Sequence, residues 1–383
     1  MTWKRFALTA EQCQPFLAHG AELPRDKSLV DRAPPWRPFM SWEAFKAHHA
    51  DDACRRWGLI RGICTERAEQ KARSFVLSDS ATSQRLVLAV NASLALRRPL
   101  LLTGHPGSGK TSLAFVIAAW LGLGPVLEWP VSPGAQLADA LSTYNALARL
   151  EDLQIPGNPQ GPVEDYVRLG PVGTAFLPAP LPRVLLIDEI DKGDLNLAND
   201  LLHLFEDGKF SIPDLKRAER QAGSSKAGEN AEPQERWVET WDESAQGVRV
   251  KAPIRGGQVL CHEFPLVVMT SNGERDFPPA FNRRCLRVNM PDASREPTLL
   301  KAIVEQHLKE DTGLTYSVDR ALKMFKEEME KQRVQNDVLA TDQLLNLAFL
   351  MDGTGGDQAS ELLRQVLLQG LNSELDLDGD GKP

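Results

Sequence analysis

The stretch PLLLTGHPGSGKTSLAFVIAAWLGL, residues 99–123, decides how the rest of the chain is interpreted. Its first part is a short apolar run that ends at a glycine, which is typical of a buried strand in a parallel sheet. The segment GHPGSGKT, residues 104–111, then fits the phosphate-loop pattern G-x-x-x-x-G-K-[ST], and apolar residues typical of a helix follow it. A strand before the loop and a helix after it are the context in which this pattern is specific.

Each residue type in this loop suits the binding of phosphate groups. Gly107 and Gly109 let the backbone turn so that its N–H groups point at phosphate oxygens, and the N-terminus of the following helix attracts the same negative charge. Lys110 would neutralise the β- and γ-phosphates of ATP, and the Thr111 hydroxyl would bind Mg²⁺. The loop therefore predicts a nucleotide site made of Gly104, Pro106, Gly107, Ser108, Gly109, Lys110, Thr111 and Ser112.

A second apolar run, RVLLIDEID at residues 183–191, leads into two adjacent carboxylates. The pattern predicts a central strand that delivers Asp188 and Glu189 to its C-terminal edge, where ligands bind in open α/β sheets. Asp188 would hold the Mg²⁺ ion through its water shell, and Glu189 would act as general base on the attacking water. A charged loop after a buried strand, with no metal or water to serve, is the alternative interpretation.

The run FPLVVMTSN, residues 264–272, repeats this design of an apolar strand with a polar end. Asn272 would hydrogen-bond a γ-phosphate oxygen or the nucleophilic water from the adjacent strand. A Ser-Asn pair is a weak signal alone. Beside Lys110 and Glu189, however, it is the third polar group that such a site needs.

Two adjacent arginines, Arg283 and Arg284, follow a Pro-Pro turn in PPAFNRRC, residues 278–285. Phosphoryl transfer needs positive charge at the γ-phosphate, and an arginine supplied from outside can raise turnover by roughly 10³–10⁵. Because the pair lies at the predicted domain edge, we expect it to reach the nucleotide of a neighbouring subunit. A head-to-tail interface of this kind either closes into a ring or grows into a filament. The sequence does not choose between the two arginines, since adjacent helical residues point about 100° apart.

The rest of the chain alternates between predicted strands and helices, which indicates an α/β parallel sheet flanked by helices. A strand is expected in PVLEWPVS (125–132) and one helix in GAQLADALSTYNALARL (134–150). The stretch 216–247 carries no apolar side chain larger than alanine in its first twenty or so residues, so a mobile, solvated loop is expected there. After Pro291, apolar residues recur at spacings of three and four, which predicts a small all-helical domain.

The N-terminal region, residues 1–75, is rich in aromatic residues and is broken by APPWRP (33–38); its tryptophans are Trp3, Trp36, Trp42 and Trp57. In one interpretation these side chains pack a mainly helical region against the main body. In the other, some of them stay exposed as a surface for a partner. The sequence leaves both interpretations open.

Composition limits the classes of protein that the chain can belong to. The 383 residues carry a net charge of −8, and the pI is near 5.5, so no overall positive field would attract nucleic acid or an anionic membrane. Five cysteines without CxxC spacing argue against a disulfide framework and a zinc site. Cys285 is either a reactive thiol beside Arg284 or a small buried side chain. No segment approaches about 18 uncharged apolar residues, so we expect a soluble, cytoplasmic protein.

Taken in order, these motifs resemble those of the AAA+ ATPases, and among them the MoxR-like class. GHPGSGKT corresponds to Walker A, LLIDEIDK (185–192) to Walker B, Asn272 to sensor 1 and PAFNRRC (279–285) to the arginine-finger motif. The block 169–215 is similar to the MoxR-like class in particular. The resemblance spans residues 76–352.

The resemblance implies an AAA+ domain at 76–290, with a helix-2 insert near 150–180 and a β-hairpin near 210–262. A helical lid domain with an acidic tail would follow at 291–383. It also implies a hexameric, Mg-ATP-driven machine that remodels a protein partner. MoxR-like proteins often act with a von Willebrand factor A domain protein, and some belong to bacterial conflict or defence systems.

Two features near the C-terminus are ambiguous. The lid helix of these ATPases usually carries a basic sensor 2 residue, but residues 336–347 contain no Lys or Arg, so Arg320 or a residue from elsewhere would have to substitute. Asp376, Asp378 and Asp380 are spaced like the start of a calcium loop, but the bidentate Glu of position 12 is missing. An acidic, solvated tail is the alternative interpretation.

Three functional hypotheses follow from the sequence. The first is a ring-forming ATPase that couples ATP hydrolysis to the remodelling or activation of a protein partner. The second is a nucleotide-gated scaffold or switch with slow turnover, which the missing sensor 2 residue favours and Glu189 opposes. The third is a nucleic-acid motor, which the acidic pI and the lack of a recognisable helix-turn-helix or basic helix disfavour.

Overall fold

The computed structural model divides the chain into two compact units. The first contains the chain up to Ala72 together with 84–103 and 111–289, and the second contains 73–83, 104–110 and the chain from Met290 onward. Arg320, the calcium-like spacing at 376–380 and most of 336–347 lie outside the described residues. The structure describes residues 34, 36–37, 39–63, 65–76, 81–154, 161–225, 233–291, 297–309, 321–327 and 343–348.

A five-stranded parallel sheet forms the centre of the first unit. Its strands are β1 (Leu100–Thr103), β2 (Leu127–Pro130), β5 (Val184–Asp188), β10 (Leu266–Ser271) and β11 (Leu286–Asn289). They lie in the order β11-β1-β10-β5-β2, and every neighbouring pair is parallel. The predicted α/β parallel sheet is therefore confirmed.

The residues of the central strands explain why this sheet forms. β1, β5 and β10 are almost continuous runs of Leu, Val, Ile and Met, and nearly all of these side chains are buried. Strands of parallel sheets are covered on both faces, so such runs are expected in their centre. In the register, Met269 of β10 is opposite Ile187 of β5, so the residues that follow them meet at one edge of the sheet. This edge carries the polar residues discussed below.

The described residues also form helices. In chain order they are α1 (Trp42–His48), α2 (Ala50–Ile60), α3 (Glu66–Ser74), α4 (Ala81–Leu96), α5 (Lys110–Leu121), α6 (Leu137–Leu141), α7 (Ala146–Gln154), α8 (Pro171–Ala175), α9 (Leu195–Asp207), α10 (Pro213–Ser225), α11 (Pro279–Arg284) and α12 (Pro297–Lys309). Short 3₁₀ turns lie at Val163–Tyr166 and Ile190–Lys192. None of the described helices is long and apolar enough to cross a membrane.

A second sheet of six short strands also belongs to the first unit. Its strands are β3 (Ser142–Tyr144), β4 (Val167–Leu169), β6 (Lys209–Ser211), β7 (Glu235–Glu243), β8 (Arg249–Arg255) and β9 (Gln258–Leu260), in the order β3-β4-β7-β8-β9-β6. β7 and β8 form an antiparallel hairpin within the predicted insert near 210–262. Their side chains alternate between buried and exposed, as expected for a sheet with one face on the core.

The single helix predicted over 134–150 is wrong. The chain forms α6, then strand β3, then α7. Ser142–Tyr144 pairs with β4, and the Asn145 side chain then accepts a hydrogen bond from Ala148 N at 3.0 Å, which caps the start of α7. The apolar spacing hid this break, because the pairing of Ser142–Tyr144 depends on β4, which lies more than twenty residues further along the chain.

The loop expected at the start of 216–247 is also wrong, because residues 216–225 belong to α10. Lys, Arg, Glu, Gln and Ala are good helix formers, and they make up most of this segment. The helix begins in the first unit's core, where Leu215 is fully buried and Ala218 packs against it. Burial in the first turn therefore anchors a helix whose remainder is polar.

The described part of the N-terminal region packs against the body of the first unit. Phe45 stacks on His262 with ring centroids 4.1 Å apart, and Trp57 is buried. Met40 N donates to Cys261 O at 3.0 Å, while His262 Nδ1 donates to Met40 O at 3.0 Å. Burial lowers the pKa of His262 to about 4, so this imidazole is neutral at pH 7. These contacts support the packing interpretation for α1 and α2.

A buried ion pair connects Arg183, the residue just before β5, with Asp242 of the hairpin. Arg183 Nη1 and Nη2 donate to the two carboxylate oxygens of Asp242 at 2.7 and 2.8 Å, and Nη2 also donates to Pro125 O at 3.0 Å. Both side chains are only 4% exposed. The pair is thus bidentate and removed from water, so each buried charge is compensated only while its partner is present.

We expect Asp242→Ala to lower the free energy of unfolding by about 3–5 kcal/mol, because it leaves the Arg183 charge buried without its partner. Denaturant titration measures this change. Asp165→Ala is the control, since its pair with Lys251 at 3.9 Å is about half exposed, and it should change stability by less than about 1 kcal/mol. Equal effects of the two substitutions would show that the buried pair contributes no more to the free energy of unfolding than the exposed pair.

The described helices of the second unit share a separate apolar core. Leu300 and Val304 of α12 pack with Phe325 of the helical segment 321–327 and with residues of the helical segment 343–348. Val76 packs against the same cluster. This agrees with the predicted small helical domain after Pro291.

Candidate functional site

The phosphate loop follows β1 directly and leads into α5. Gly104, Gly107 and Gly109 have φ angles of 147°, 74° and 82°, a region that residues with a side chain rarely enter. The buried Lys110 amine donates to Gly104 O at 2.6 Å and to His105 O at 2.9 Å. The loop thus has the backbone freedom and the fixed cation that the sequence predicts for a phosphate site.

Gly109 also has a steric reason to be glycine. A Cβ atom at this position would lie 3.3 Å from Cε2 of Phe75, in addition to the strain of its positive φ. The phosphate loop therefore has little room for a side chain on the side that faces Phe75.

The side chains of Thr111 and Asp188 are in direct contact. Thr111 Oγ1 donates to Asp188 Oδ1 at 2.9 Å. Hydroxyl and carboxylate oxygens are the ligands that Mg²⁺ prefers, so these two side chains suit that ion. Thr270, which no sequence motif singles out, follows the apolar part of β10 and donates to Asp188 Oδ1 at 2.6 Å.

Glu189 has an unusual backbone conformation. Its φ is 58°, in the left-handed region, where a residue with a side chain is strained by roughly 1–2 kcal/mol. Glu189 N donates to Thr270 Oγ1 at 2.8 Å, which holds this conformation. The Glu189 carboxylate accepts a hydrogen bond from Lys192 Nζ at 2.6 Å, and this pair raises the pKa of Lys192. Backbone strain of this kind clusters at functional sites.

Asn272 lies just past the end of β10, next to a second missed residue, Asp191. Asp191 Oδ2 accepts hydrogen bonds from the backbone N–H groups of Asn272, Gly273 and Glu274 at 2.9, 3.0 and 3.1 Å. The Asp191 side chain is buried. The repeated Asp in IDEID could have signalled a role, but its partners, about eighty residues away in the chain, could not be inferred.

The structure distinguishes the two arginines of α11. Arg284 Nε donates to Glu206 of α9, and its Nη1 donates to Ala280 O at 3.2 Å. Arg283 is exposed, and among the described residues its side chain has no hydrogen-bond or ion-pair partner. Cys285, beside them, is buried, and burial raises the pKa of its thiol to about 12, which supports the buried-filler interpretation.

The family of the central region follows from this site together with a sequence match. Residues 99–285 match the model of the AAA domain, dynein-related subfamily. This range begins just before β1 and ends just after α11, so it contains the phosphate loop, both carboxylates, Asn272 and the two arginines. Residues 99–285 form an AAA domain.

Solved structures resemble the chain at low identity. NtrX from Brucella abortus in complex with ADP is 15% identical with a TM-score of 0.41, over 89% of this chain and 65% of that chain. The same protein in complex with ATP is 15% identical with a TM-score of 0.38, over 84% of this chain and 62% of that chain. PCH-2 from C. elegans is 13% identical with a TM-score of 0.37, over 80% of this chain and 71% of that chain. The chain spans less than two thirds of the length of NtrX, and it matches no curated protein sequence.

Within the AAA domain, tertiary contacts link residues from three motifs. Thr111, Asp188, Thr270 and Glu189 form one continuous hydrogen-bonded chain at the edge of the parallel sheet. Asp191 joins the same edge to the backbone around Asn272. The sequence motifs identified Thr111, Asp188 and Glu189, whereas the parts played by Thr270 and Asp191 emerge only from the contacts.

Proposed function

We propose that the AAA domain binds Mg-ATP and hydrolyses it, and that this chain acts as a MoxR-like, ring-forming ATPase, hexameric as the resemblance implies, that remodels or activates a protein partner. The hydrogen-bonded chain from Thr111 through Asp188 and Thr270 to Glu189 carries the proposal. It holds a metal-binding pair and the backbone of a strained carboxylate in one rigid arrangement, which phosphoryl transfer requires.

Each residue of the site has a defined task in this proposal. Lys110 neutralises phosphate oxygens, and Thr111 and Asp188 hold Mg²⁺, which supplies charge neutralisation on the phosphates when it is bound. Glu189 accepts the proton of the attacking water. Asn272 hydrogen-bonds the γ-phosphate or that water.

Arg283 supplies the positive charge to the neighbouring subunit in this proposal. Its exposed side chain is available to an interface, whereas Arg284 is held by Glu206 within its own chain. A residue that acts across an interface requires assembly, so the ring and the catalytic chemistry depend on each other.

The surface of α7 supports a protein partner. Arg149 Nη1 donates to the Tyr144 hydroxyl at 2.9 Å, and the Tyr166 hydroxyl donates to Asp152 at 2.6 Å, so the helix is held by its polar side chains. Its apolar side chains are exposed instead: Leu147, Leu150 and Leu153. Exposed apolar patches mark sites of protein association. A von Willebrand factor A domain protein is the partner that the resemblance suggests.

The charges of the hairpin oppose the alternative of a nucleic-acid motor. Nucleic-acid binding depends on cations that are free to neutralise phosphates. The three cations of β8 instead lie within 4 Å of carboxylates, in the pairs Arg249–Glu243, Lys251–Asp165 and Arg255–Glu235.

Arg283→Ala is expected to lower ATP turnover by roughly 10³-fold or more, the scale of a trans arginine. Arg284→Ala is the matched control. Because Arg284 bonds within its own chain, its replacement should lower stability slightly and turnover by less than about 10-fold. Steady-state hydrolysis at saturating Mg-ATP measures both variants. The reverse ranking would assign the trans role to Arg284.

Mixing two inactive variants tests the whole proposal. Lys110→Ala removes the phosphate-loop cation and Arg283→Ala removes the trans arginine, so neither variant alone has an intact interface. In a mixture, some interfaces pair an intact loop with an intact arginine, and activity should return and rise with protein concentration. If the mixture stays inactive although both variants assemble, the arginine acts within one chain and the ring proposal fails.

One observation favours the second candidate, a nucleotide-gated scaffold with slow turnover in a conflict or defence system. The Glu189 carboxylate accepts a hydrogen bond from Lys192 Nζ at 2.6 Å, so one of the oxygens that would take a proton from water is already occupied. The Glu189→Gln variant separates this candidate from the remodelling machine.

A further inference from the structure

We propose that Asp191 is a positioning residue that sets the place of Asn272 in the ATPase site. This inference rests on the proposed function, because Asn272 is the group that would meet the γ-phosphate or the attacking water. Asp191 touches neither; it acts through the backbone of residues 272–274.

The geometry around Asp191 is that of an anion nest. Three consecutive backbone N–H groups, those of Asn272, Gly273 and Glu274, converge on the single oxygen Oδ2 at 2.9–3.1 Å. The positive φ of Gly273, 82°, turns the chain so that the three donors face one point. Hydrogen bonds to an ionised acceptor are about twice as strong as neutral ones, so this arrangement fixes the segment firmly.

Burial makes the interaction specific. Asp191 is only 2% exposed, so water cannot replace the three donors. A second hydrogen bond joins the two segments just beyond, where Arg275 Nη1 donates to Gly193 O at 2.9 Å. The segment 272–275 is therefore attached to the segment that follows Glu189, and the two catalytic elements share one frame.

The position of Asp191 in the chain determines which residues the loss of its hydrogen bonds would affect. It lies two residues after Glu189, whose backbone is held separately by Thr270. The side chains of Glu189 and Asn272 are thus placed by neighbouring anchors at the ends of two adjacent strands. Loss of the Asp191 anchor would free Asn272 while leaving the bonds of Asp188 and Thr270 in place.

Hydrogen–deuterium exchange of the purified full-length chain, in the absence of ATP, tests the hydrogen bonds between Asp191 and residues 272–274. In Asp191→Ala the amides of Asn272 and Glu274 should exchange at least about 10-fold faster, because their acceptor is gone. The Gly273 amide should change less, because it also donates to Ser271 Oγ at 3.0 Å. Asp194→Ala is the control, since this nearby carboxylate is exposed and its side chain caps no backbone N–H of α9. Unchanged exchange at 272–274 in Asp191→Ala would overturn the proposal.

Kinetics test the link to Asn272. Asp191→Ala should lower kcat by about 100-fold with KM for Mg-ATP nearly unchanged. The reason is that a misplaced catalytic group mainly weakens the stabilisation of the transition state. Asp191→Asn keeps one acceptor oxygen and should recover part of this loss; it also serves if the alanine variant does not fold. Adding Asn272→Ala to Asp191→Ala should cost little more, because both changes remove the same group.

The outcomes separate this inference from the proposed function. Multiplicative losses in the double variant would overturn the positioning role, because they would show that the two residues act independently. A wild-type chain that hydrolyses no ATP in any assembled state would overturn the proposed function instead. The exchange result would then still decide whether Asp191 holds the segment.

Discussion

Glu189→Gln is expected to lower ATP turnover by about 10²–10⁴-fold, the range for loss of a general base, while nucleotide affinity changes little. The amide is isosteric and keeps the backbone bond to Thr270, but it cannot accept a proton from water. Single-turnover hydrolysis and equilibrium binding of a fluorescent ATP analogue measure the two effects separately. Loss of turnover with binding retained would assign Glu189 to the catalytic step.

The control for this substitution is Glu239→Gln, the same chemical change on β7, outside the ATPase site. It should leave turnover unchanged. If Glu189→Gln instead weakened nucleotide binding and turnover in parallel, its role would be structural, through the strained turn at φ 58°. The general-base role would then be wrong.

The same variant separates the two candidate functions. A remodelling machine needs hydrolysis, so Glu189→Gln should abolish its effect on the partner. A scaffold needs only bound nucleotide, so partner engagement should survive Glu189→Gln and be lost in Lys110→Ala, which removes the phosphate cation. Co-sedimentation of the assembled ring with its partner in the presence of ATP measures engagement in both variants.

Gly173→Ala is expected to have the largest effect on stability. A Cβ atom at this position would lie 2.0 Å from Leu141 O and 2.9 Å from Leu141 C, and backbone atoms cannot rotate away as a side chain can. Gly170, three residues earlier in the chain, is equally close to α6, with Ala140 O at 2.3 Å from its Cβ position. The two glycines let the backbones of α6 and α8 touch.

The added methyl group forces these elements apart, so the cost should exceed about 3 kcal/mol, the upper end for overpacking in a core. Thermal and denaturant unfolding of the full-length chain measure it. Gly58→Ala is the matched control: this glycine lies in α2 with nothing within 4 Å of its Cβ position, so alanine should raise stability by up to about 1 kcal/mol. A Gly173→Ala variant as stable as the wild type would mean that α6 and α8 do not approach this closely in solution.

The two glycines also show how far sequence patterns extend. The block 169–215 was matched by its resemblance to a family, but only the contact distances explain why LGPVGTAF contains glycines at these positions. Helical periodicity likewise failed over 134–150, because pairing of Ser142–Tyr144 with β4 overrides local propensity. Composition failed for 216–225, where burial of Leu215 anchors a helix that has almost no other apolar residue.

The sequence by itself determined the parallel sheet and the positions of Lys110, Asp188, Glu189 and Asn272. These residues belong to short motifs in which a strand, its polar end and the following turn are contiguous, so local chemistry is enough to recognise them. Only the tertiary structure decided which residues hold them. Thr270 and Asp191 contact partners about eighty residues away. Glu206 of α9 binds Arg284 and so distinguishes it from Arg283. Such contacts depend on strand order and packing rather than on neighbouring residues.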